Sequence, residues 1–321
     1  MSNIFYVNPH NELYGGIKVV FEHCGHLARR FQKCFVVCDD AVPSWMRVDA
    51  YFVDRATAAR LVRPEDVVVF HWDDDVTYAV GLGARRVYYL IQHFVHANDA
   101  VFKHPIQFIS VSSYVQKHTL EHYGVESTLI PNGIDHGVFY PRPVRREKRR
   151  IFAIDRGGWK RVEDIREAEK RVRRKFPDAR GVYKSGLSPE AMAIEYSRSE
   201  VYVSASLYEG FGLPVLEAMA CGAAVVTTDS KGIDDFAVHG KNCLIVPVRN
   251  PAAIADAVIQ LFENDALRER LAAEGRTAAA PFTWDASIAK LAALFGLKER
   301  VTDEDIVTRL PGVRSVVSRD D

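Results

Sequence analysis

The sequence predicts an α/β chain of two doubly wound, parallel-sheet domains. Three observations carry that reading. Short apolar runs of strand length alternate with segments of helical periodicity through most of the chain. Most of those runs are continuous rather than alternating, the pattern of strands covered by helices on both faces. The pattern also stops at a polar, basic stretch near the middle and then restarts. A length of 321 residues fits two domains of roughly 150 residues each.

In the first half the expected strands are residues 4–7, 34–38, 67–70, 87–91 and 108–111. Between the first two, Ile17, Val20, Phe21, Cys24, Leu27 and Phe31 recur at three- and four-residue steps and make one apolar helix face. Residues 141–150, PRPVRREKRR, hold six basic residues and two prolines with no apolar period, and are expected to be a solvated linker. Strands are expected again at 151–154, 181–184, 201–204, 223–227 and 243–246, with helices at 162–175 and 251–263. The domain division expected is therefore 1–140, linker 141–150, and 151–282. A last helix over 283–298 and a polar tail at 299–321, expected to pack weakly, complete the chain.

Composition narrows the function classes. The chain is 48% hydrophobic and 26% charged, the balance of an ordinary folded protein. Lys plus Arg and Asp plus Glu are both 42, so net charge gives no reason to expect a nucleic-acid partner. Cys24, Cys34, Cys38, Cys221 and Cys243 show no paired Cys-x2-Cys spacing. Neither a disulfide framework nor a structural zinc site is expected, and the thiols read as small buried hydrophobes. The first residues lack a basic region followed by a long apolar run, and no stretch reaches the roughly 18 apolar residues of a spanning helix. A cytoplasmic location is expected, with peripheral membrane contact through the basic linker left open.

The stretch SASLYEGFGLPVLEAMACG, residues 204–222, is the most informative. A strand feeds a loop with Gly210 and Gly212, and Pro214 is expected to be the first residue of a helix with Glu217 in its opening turn. A helix amino terminus behind a glycine loop offers free N–H groups to ligand oxygens. Glu209 and Glu217, with seven residues between them, can accept hydrogen bonds from hydroxyls, which suits a polyhydroxy ligand better than a bare phosphate. The simpler alternative is a strand, a turn and an acidic residue favouring the helix dipole.

This Glu-x7-Glu segment with its Gly-Phe-Gly-Leu-Pro interior resembles the donor site of the retaining glycosyltransferases of family 4, the glycosyl transferases group 1, which have the GT-B fold. The resemblance implies two Rossmann-like domains facing a central cleft. It also implies that Glu209 with Gly210, Phe211, Gly212 and Leu213 holds the transferred sugar, and that Glu217 binds the ribose hydroxyls. Residues 111–141, with Asn132, Gly133 and Asp135 in the string IPNGID, are similar to the family's passage out of the amino domain. Tyr14, Gly15 and Gly16 are similar to its Gly-Gly loop, where backbone amides meet a diphosphate. The string DRGGWKRVEDI is similar to the segment carrying the diphosphate-neutralising cations, which carries over to Arg156 and Lys160, with Arg161 as the substitute for Lys160. The spacing between the two cations is shorter than the family's. The last helix is expected to cross back to the amino domain.

A histidine near the reacting centre is placed by the resemblance at His93, with His71 in a similar position after another strand. Asp73, Asp74 and Asp75 contain an Asp-x-Asp pattern, read here as a solvated or acceptor-facing loop rather than a metal site. There is no Gly-x-Gly-x-x-Gly for a dinucleotide. The activity implied is transfer of a sugar from a nucleotide-diphosphate sugar, as co-substrate, to a hydroxyl of a glycan, lipid-linked or small-molecule acceptor, with retention of configuration. Neither metal nor other cofactor is expected, because Arg156, Lys160 and the backbone amides would offset the charge gathering on the leaving diphosphate. Base contacts are expected around residues 184–187. A nucleotide-sugar epimerase on the same fold, or a silent sugar-nucleotide-binding scaffold, are the alternative readings.

Overall fold

The structure is a computed structural model that describes residues 2–12, 15–46, 48–96, 98–299 and 314–315. The chain forms two compact units, the first of residues 1–111, 115–133 and 284–321, the second of residues 112–114 and 134–283.

In the first unit seven parallel strands run in the order β3-β2-β1-β4-β5-β6-β7. They are β1 (Ile4–Val7), β2 (Cys34–Val37), β3 (Tyr51–Val53), β4 (Val67–Phe70), β5 (Arg86–Ile91), β6 (Gln107–Ser110) and β7 (Thr128–Leu129). The register pairs Ile4 with both Cys34 and Val67, so β1 is central, and every residue of β1, β2 and β4 is buried. Those strands read as continuous apolar runs because both faces are covered. The helices are α1 (Gly15–Arg30), α2 (Arg55–Leu61), α3 (Val76–Gly81) and α4 (Ser113–Tyr123). The apolar face anticipated on α1 is buried at Ile17, Val20, Phe21, Cys24 and Leu27.

The second unit holds a five-stranded parallel sheet in the order β12-β11-β10-β8-β9. Its elements are β8 (Glu147–Ile154), α5 (Val162–Lys175), β9 (Arg180–Lys184), α6 (Pro189–Arg198), β10 (Ser199–Ser204), α7 (Leu213–Ala220), β11 (Ala224–Thr228), β12 (Leu244–Val246), α8 (Pro251–Glu263) and α9 (Asp265–Ala279). Helix α5 buries Val162, Ile165, Ala168 and Val172, the last three in one cluster with the strand residues Ile151, Val201 and Val203. Helix α8 starts where Asn250 accepts the Ala253 N–H at 3.0 Å and Pro251 supplies a first residue that needs no donor. After α9 comes α10 (Trp284–Leu294), which belongs to the first unit, where Trp284 meets His23 of α1 edge-on at 5.8 Å. Arg314–Ser315 pair antiparallel to β3, and residues 300–313 and 316–321 of the tail lie outside the described residues.

Several expectations need correction. Residues 141–150 are not a solvated connector throughout, because Glu147 to Arg150 begin β8. Arg150 is only 2% exposed. Its guanidinium binds Glu195 Oε2 at 2.5 Å and donates to Ser199 Oγ at 2.6 Å, partners almost 50 residues away that a local charge run does not reveal. Lys184 Nζ completes the group at 2.9 Å from Glu195 Oε1. Strands β3 and β7 had no counterpart in the expected set, being three and two residues long. All five cysteines are buried, and none forms a disulfide. Among the described residues, no helix is long and apolar enough to cross a membrane.

Candidate functional site

In each sheet the strand order reverses direction at one point, and in open α/β sheets ligands bind at the carboxyl ends of the strands beside that point. In the second unit the reversal lies between β8 and β10. The segment after β8 carries Arg156 and Lys160, and the segment after β10 carries Glu209. The two loops are tied together, since Leu207 N–H donates to Trp159 C=O at 2.8 Å. The rings of Trp159 and Tyr208 stack at 6.2 Å with an interplanar angle of 12°. Lys160 Nζ forms an ion pair with Glu209 Oε1, both side chains being largely buried.

Arg161 takes a different direction. It has a left-handed backbone (φ 51°) at the start of α5 and its guanidinium binds Asp164 at 2.8 Å and Glu163 at 3.0 Å. The chain therefore brings Lys160 to Glu209 and turns Arg161 onto the first turn of its own helix. Arg156 is half-buried, and its carbonyl accepts the Val162 N–H at 3.3 Å, folding the loop back on the helix start.

Beyond Glu209 the backbone turns tightly at Gly212. Gly212 has φ +85°, and a Cβ there would lie 2.6 Å from Ile233 Cγ2, so only glycine serves at the turn into α7. The helix begins at Leu213, with Pro214 second, one residue earlier than expected. Glu217 is consequently the fifth helical residue and lies past the first turn, where the helix dipole no longer accounts for it. It is 6% exposed and accepts a hydrogen bond from Tyr196 O–H at 3.3 Å. Burial, together with the neighbouring Tyr202 and the Glu217 charge, pushes the Tyr196 hydroxyl far above its usual range and keeps it a donor.

Two supports of this site escaped sequence reading. The segment Ser230-Lys231-Gly232 runs beside Glu209 as a one-residue bridge: Glu209 N–H donates to Ser230 C=O at 2.8 Å and Gly232 N–H to Glu209 C=O at 3.1 Å. A Cβ on Gly232 would stand 2.3 Å from Glu209 O and 2.4 Å from Gly210 C. Ser112, which groups with this unit, donates its hydroxyl to Gly210 C=O at 2.6 Å. Glu209 and Gly210 are thus held from both sides. The signal in the sequence is a bare Ser-Lys-Gly turn, whose partner is set only by the fold.

In the first unit, Gly15 and Gly16 open α1 after β1, and Tyr14 lies outside the described residues. Gly16 C=O accepts from Gln92 Nε2 at 3.0 Å, which ties the start of α1 to the segment after β5. The Asp73–Asp75 segment is not the solvated loop expected. Asp73 and Asp75 are buried and only Asp74 is exposed, because Asp75 pairs with Arg55 at 2.6 Å and Asp73 accepts Tyr89 O–H at 2.5 Å and Asn98 N–H at 3.1 Å. Burial alone would raise the Asp73 pKa, yet hydrogen bonds from His96, Tyr89 and Asn98 hold the carboxyl well below the ordinary range. His71 is buried on Asn8 Oδ1 at 2.9 Å, and burial pushes its pKa down to about 3. His93 is brought beside His96, ring centroids 5.0 Å apart, and burial with that neighbour lowers its pKa too.

Comparison with known proteins places this geometry. Residues 159–278 match the family model of glycosyl transferases group 1. A D-inositol 3-phosphate glycosyltransferase of Corynebacterium diphtheriae is 33% identical over 108 residues, 34% of this chain and 25% of its own length. A phosphatidyl-myo-inositol mannosyltransferase of Mycobacterium tuberculosis is 28% identical over 213 residues, 55% of each chain. The chain thus spans between about a quarter and about half of these relatives. Among solved structures, sucrose-phosphate synthase of Thermosynechococcus elongatus superposes with a TM-score of 0.77 at 16% identity, over 92% of this chain and 98% of that one. Anabaena HepE, solved with UDP and glucose, gives 0.76 at 14% identity over 92% of this chain and all of that one. The fold is the GT-B type of two Rossmann-like units, and the segment that carries Lys160, Glu209 and Glu217 is the segment that matches glycosyl transferases group 1.

Proposed function

We propose that the chain transfers a sugar from a nucleotide-diphosphate sugar to an acceptor hydroxyl, with retention of anomeric configuration. The observation that carries the reading is the joining of Lys160 to Glu209 at the strand-order reversal of the second unit, directly before the glycine turn into α7. Lys160 and Arg156 supply positive charge to a diphosphate, and the positive end of the α7 dipole adds to it. Charge on the leaving diphosphate grows as the glycosyl bond breaks, so these groups bind the transition state more tightly than the ground state. Glu209, freed from Lys160 when the diphosphate arrives, accepts hydrogen bonds from sugar hydroxyls. Glu217, with one oxygen on Tyr196, is suited to the ribose diol.

Neither glutamate is assigned as a nucleophile or base. Retention in this reading proceeds on one face, with a donor phosphate oxygen taking the acceptor proton. The curated relatives named above are transferases, one named for inositol 3-phosphate and one for phosphatidyl-myo-inositol, and HepE was solved with UDP. A polyol or lipid-linked polyol acceptor and a uridine donor are therefore the first to try. Calorimetric titration with UDP, GDP, ADP and dTDP, with and without magnesium, tests the donor half. One saturable, metal-independent nucleotide is expected, and binding of none by the folded chain overturns the assignment. The anomer first released from an α-configured donor, read by proton NMR, tests retention.

A further inference from the structure

Asp73, His93 and His96 of the first unit form a polar cluster to which the donor-site reading above assigns no role. We propose that these three side chains bind a zinc-class divalent metal ion. They come from the segment after β4 and the segment after β5, neighbouring strands at their carboxyl ends. One ligand atom from each lies within 4.8 Å of the other two. Tetrahedral zinc with bonds of about 2.0–2.1 Å sets its ligand atoms about 3.4 Å apart, so modest side-chain rotation closes the set.

Three features distinguish it from an ordinary buried ion pair. First, ring nitrogens are left over: His93 Nδ1 and His96 Nε2 are buried with no hydrogen-bond partner. The side chain of His96 is fully buried, and its Nδ1 stands 3.6 Å from Asp73 Oδ1. A buried ring nitrogen without a partner is unfavourable as it stands. Second, the carboxylate is oriented from outside, Tyr89 O–H and Asn98 N–H both donating to it, which is the support that metal-ligating carboxylates usually have. Third, the walls are aromatic: His96 meets Phe102 edge-on at 4.9 Å and Tyr123 at 5.8 Å. Two imidazoles and one carboxylate favour zinc-class ions over magnesium or calcium, which take oxygen ligands. Three protein ligands leave a fourth position for water or a hydroxyl.

The proposal does not rest on the donor-site reading and survives its failure. The test uses the full chain, stripped with a chelator and titrated with Co2+ while visible absorption is followed, then with Zn2+ in competition. One equivalent per chain with d–d bands of a four-coordinate nitrogen and oxygen site is expected, displaced by Zn2+. His96→Ala should weaken binding at least tenfold, and His93→Ala, on a half-buried loop residue, does the same should the first variant fail to fold by circular dichroism. His122→Ala should leave binding unchanged. His118 and His122 stack at 3.9 Å on α4 and are the competing imidazole pair. No saturable cobalt spectrum in the wild-type chain overturns the proposal. So does a spectrum that persists in His93→Ala and His96→Ala or disappears in His122→Ala.

Discussion

Gly232→Ala puts the architecture of the donor loop to a sharp test. The added Cβ would meet Glu209 O at 2.3 Å, Gly210 C at 2.4 Å and Gly210 O at 2.5 Å, all of them backbone atoms. Protein Cβ atoms do not approach neighbours closer than about 3.0 Å, so the two segments must part by at least about 0.7 Å. No side chain can rotate to absorb that. Overpacking of this kind costs about 1–3 kcal/mol, and the two bridging hydrogen bonds of Glu209 are worth about 1 kcal/mol each. Some strain relaxes as those bonds lengthen, so a loss of about 2–4 kcal/mol is expected, which with a urea slope of about 2 kcal/mol per molar moves the midpoint down by about 1–2 M. The parted loop also carries Glu209 away from Lys160, and nucleotide affinity falls with it. Urea denaturation followed by circular dichroism, and calorimetry with the best nucleotide, read the two effects. Gly81→Ala is the control, since nothing lies within 4 Å of the point where its methyl would stand and it sits in α3, where alanine is favoured by up to about 1 kcal/mol. An unchanged midpoint and unchanged affinity in Gly232→Ala would refute the reasoning.

Two further outcomes follow from burial. Arg150→Ala strips Glu195 of its buried partner while leaving Lys184 on the other oxygen. A loss in the lower part of the about 3–5 kcal/mol range for a broken buried pair is expected in denaturant titration, whereas a solvated linker arginine would cost nothing measurable. His23, buried against Trp284 with Tyr6 O–H on its Nδ1 at 3.2 Å, has its pKa pushed by burial, and secondarily by His26, from 6.5 down to about 3. The unfolded chain therefore takes the proton first. Its stabilising contribution is complete above about pH 6.5 and is lost at about 1.4 kcal/mol per pH unit as pH falls toward 3. Melting temperatures from pH 7 to 5 should fall less in His23→Phe than in the wild type, and equal slopes would count against it.

What could be read from the sequence was local. Helix α5 spans the expected residues 162–175 and α8 the expected 251–263, both segments of good helix propensity. The Glu209 to Glu217 segment was legible because strand, glycine turn and proline-led helix follow one another without interruption. What stayed hidden depends on partners distant in sequence. Arg150 reads as the end of a charge run until β8 places it on Glu195. Gly232 reads as an ordinary turn residue until the fold sets it on Glu209. Asp73 is 20 residues from His93, and only the pairing of β4 with β5 joins them. The choice between Lys160 and Arg161 likewise rested on which way each side chain leaves a left-handed turn.

The central claim is that Glu209 and its loop hold the sugar of a nucleotide-sugar donor. The most direct measurement is release of nucleoside diphosphate from a panel of UDP-, GDP-, ADP- and dTDP-sugars by the purified chain, without acceptor and in chelator, beside Glu209→Ala. Release from one nucleotide class above background, falling by about a hundredfold or more in Glu209→Ala with the fold intact, is the predicted result. Equal release by the wild type and Glu209→Ala would contradict the account.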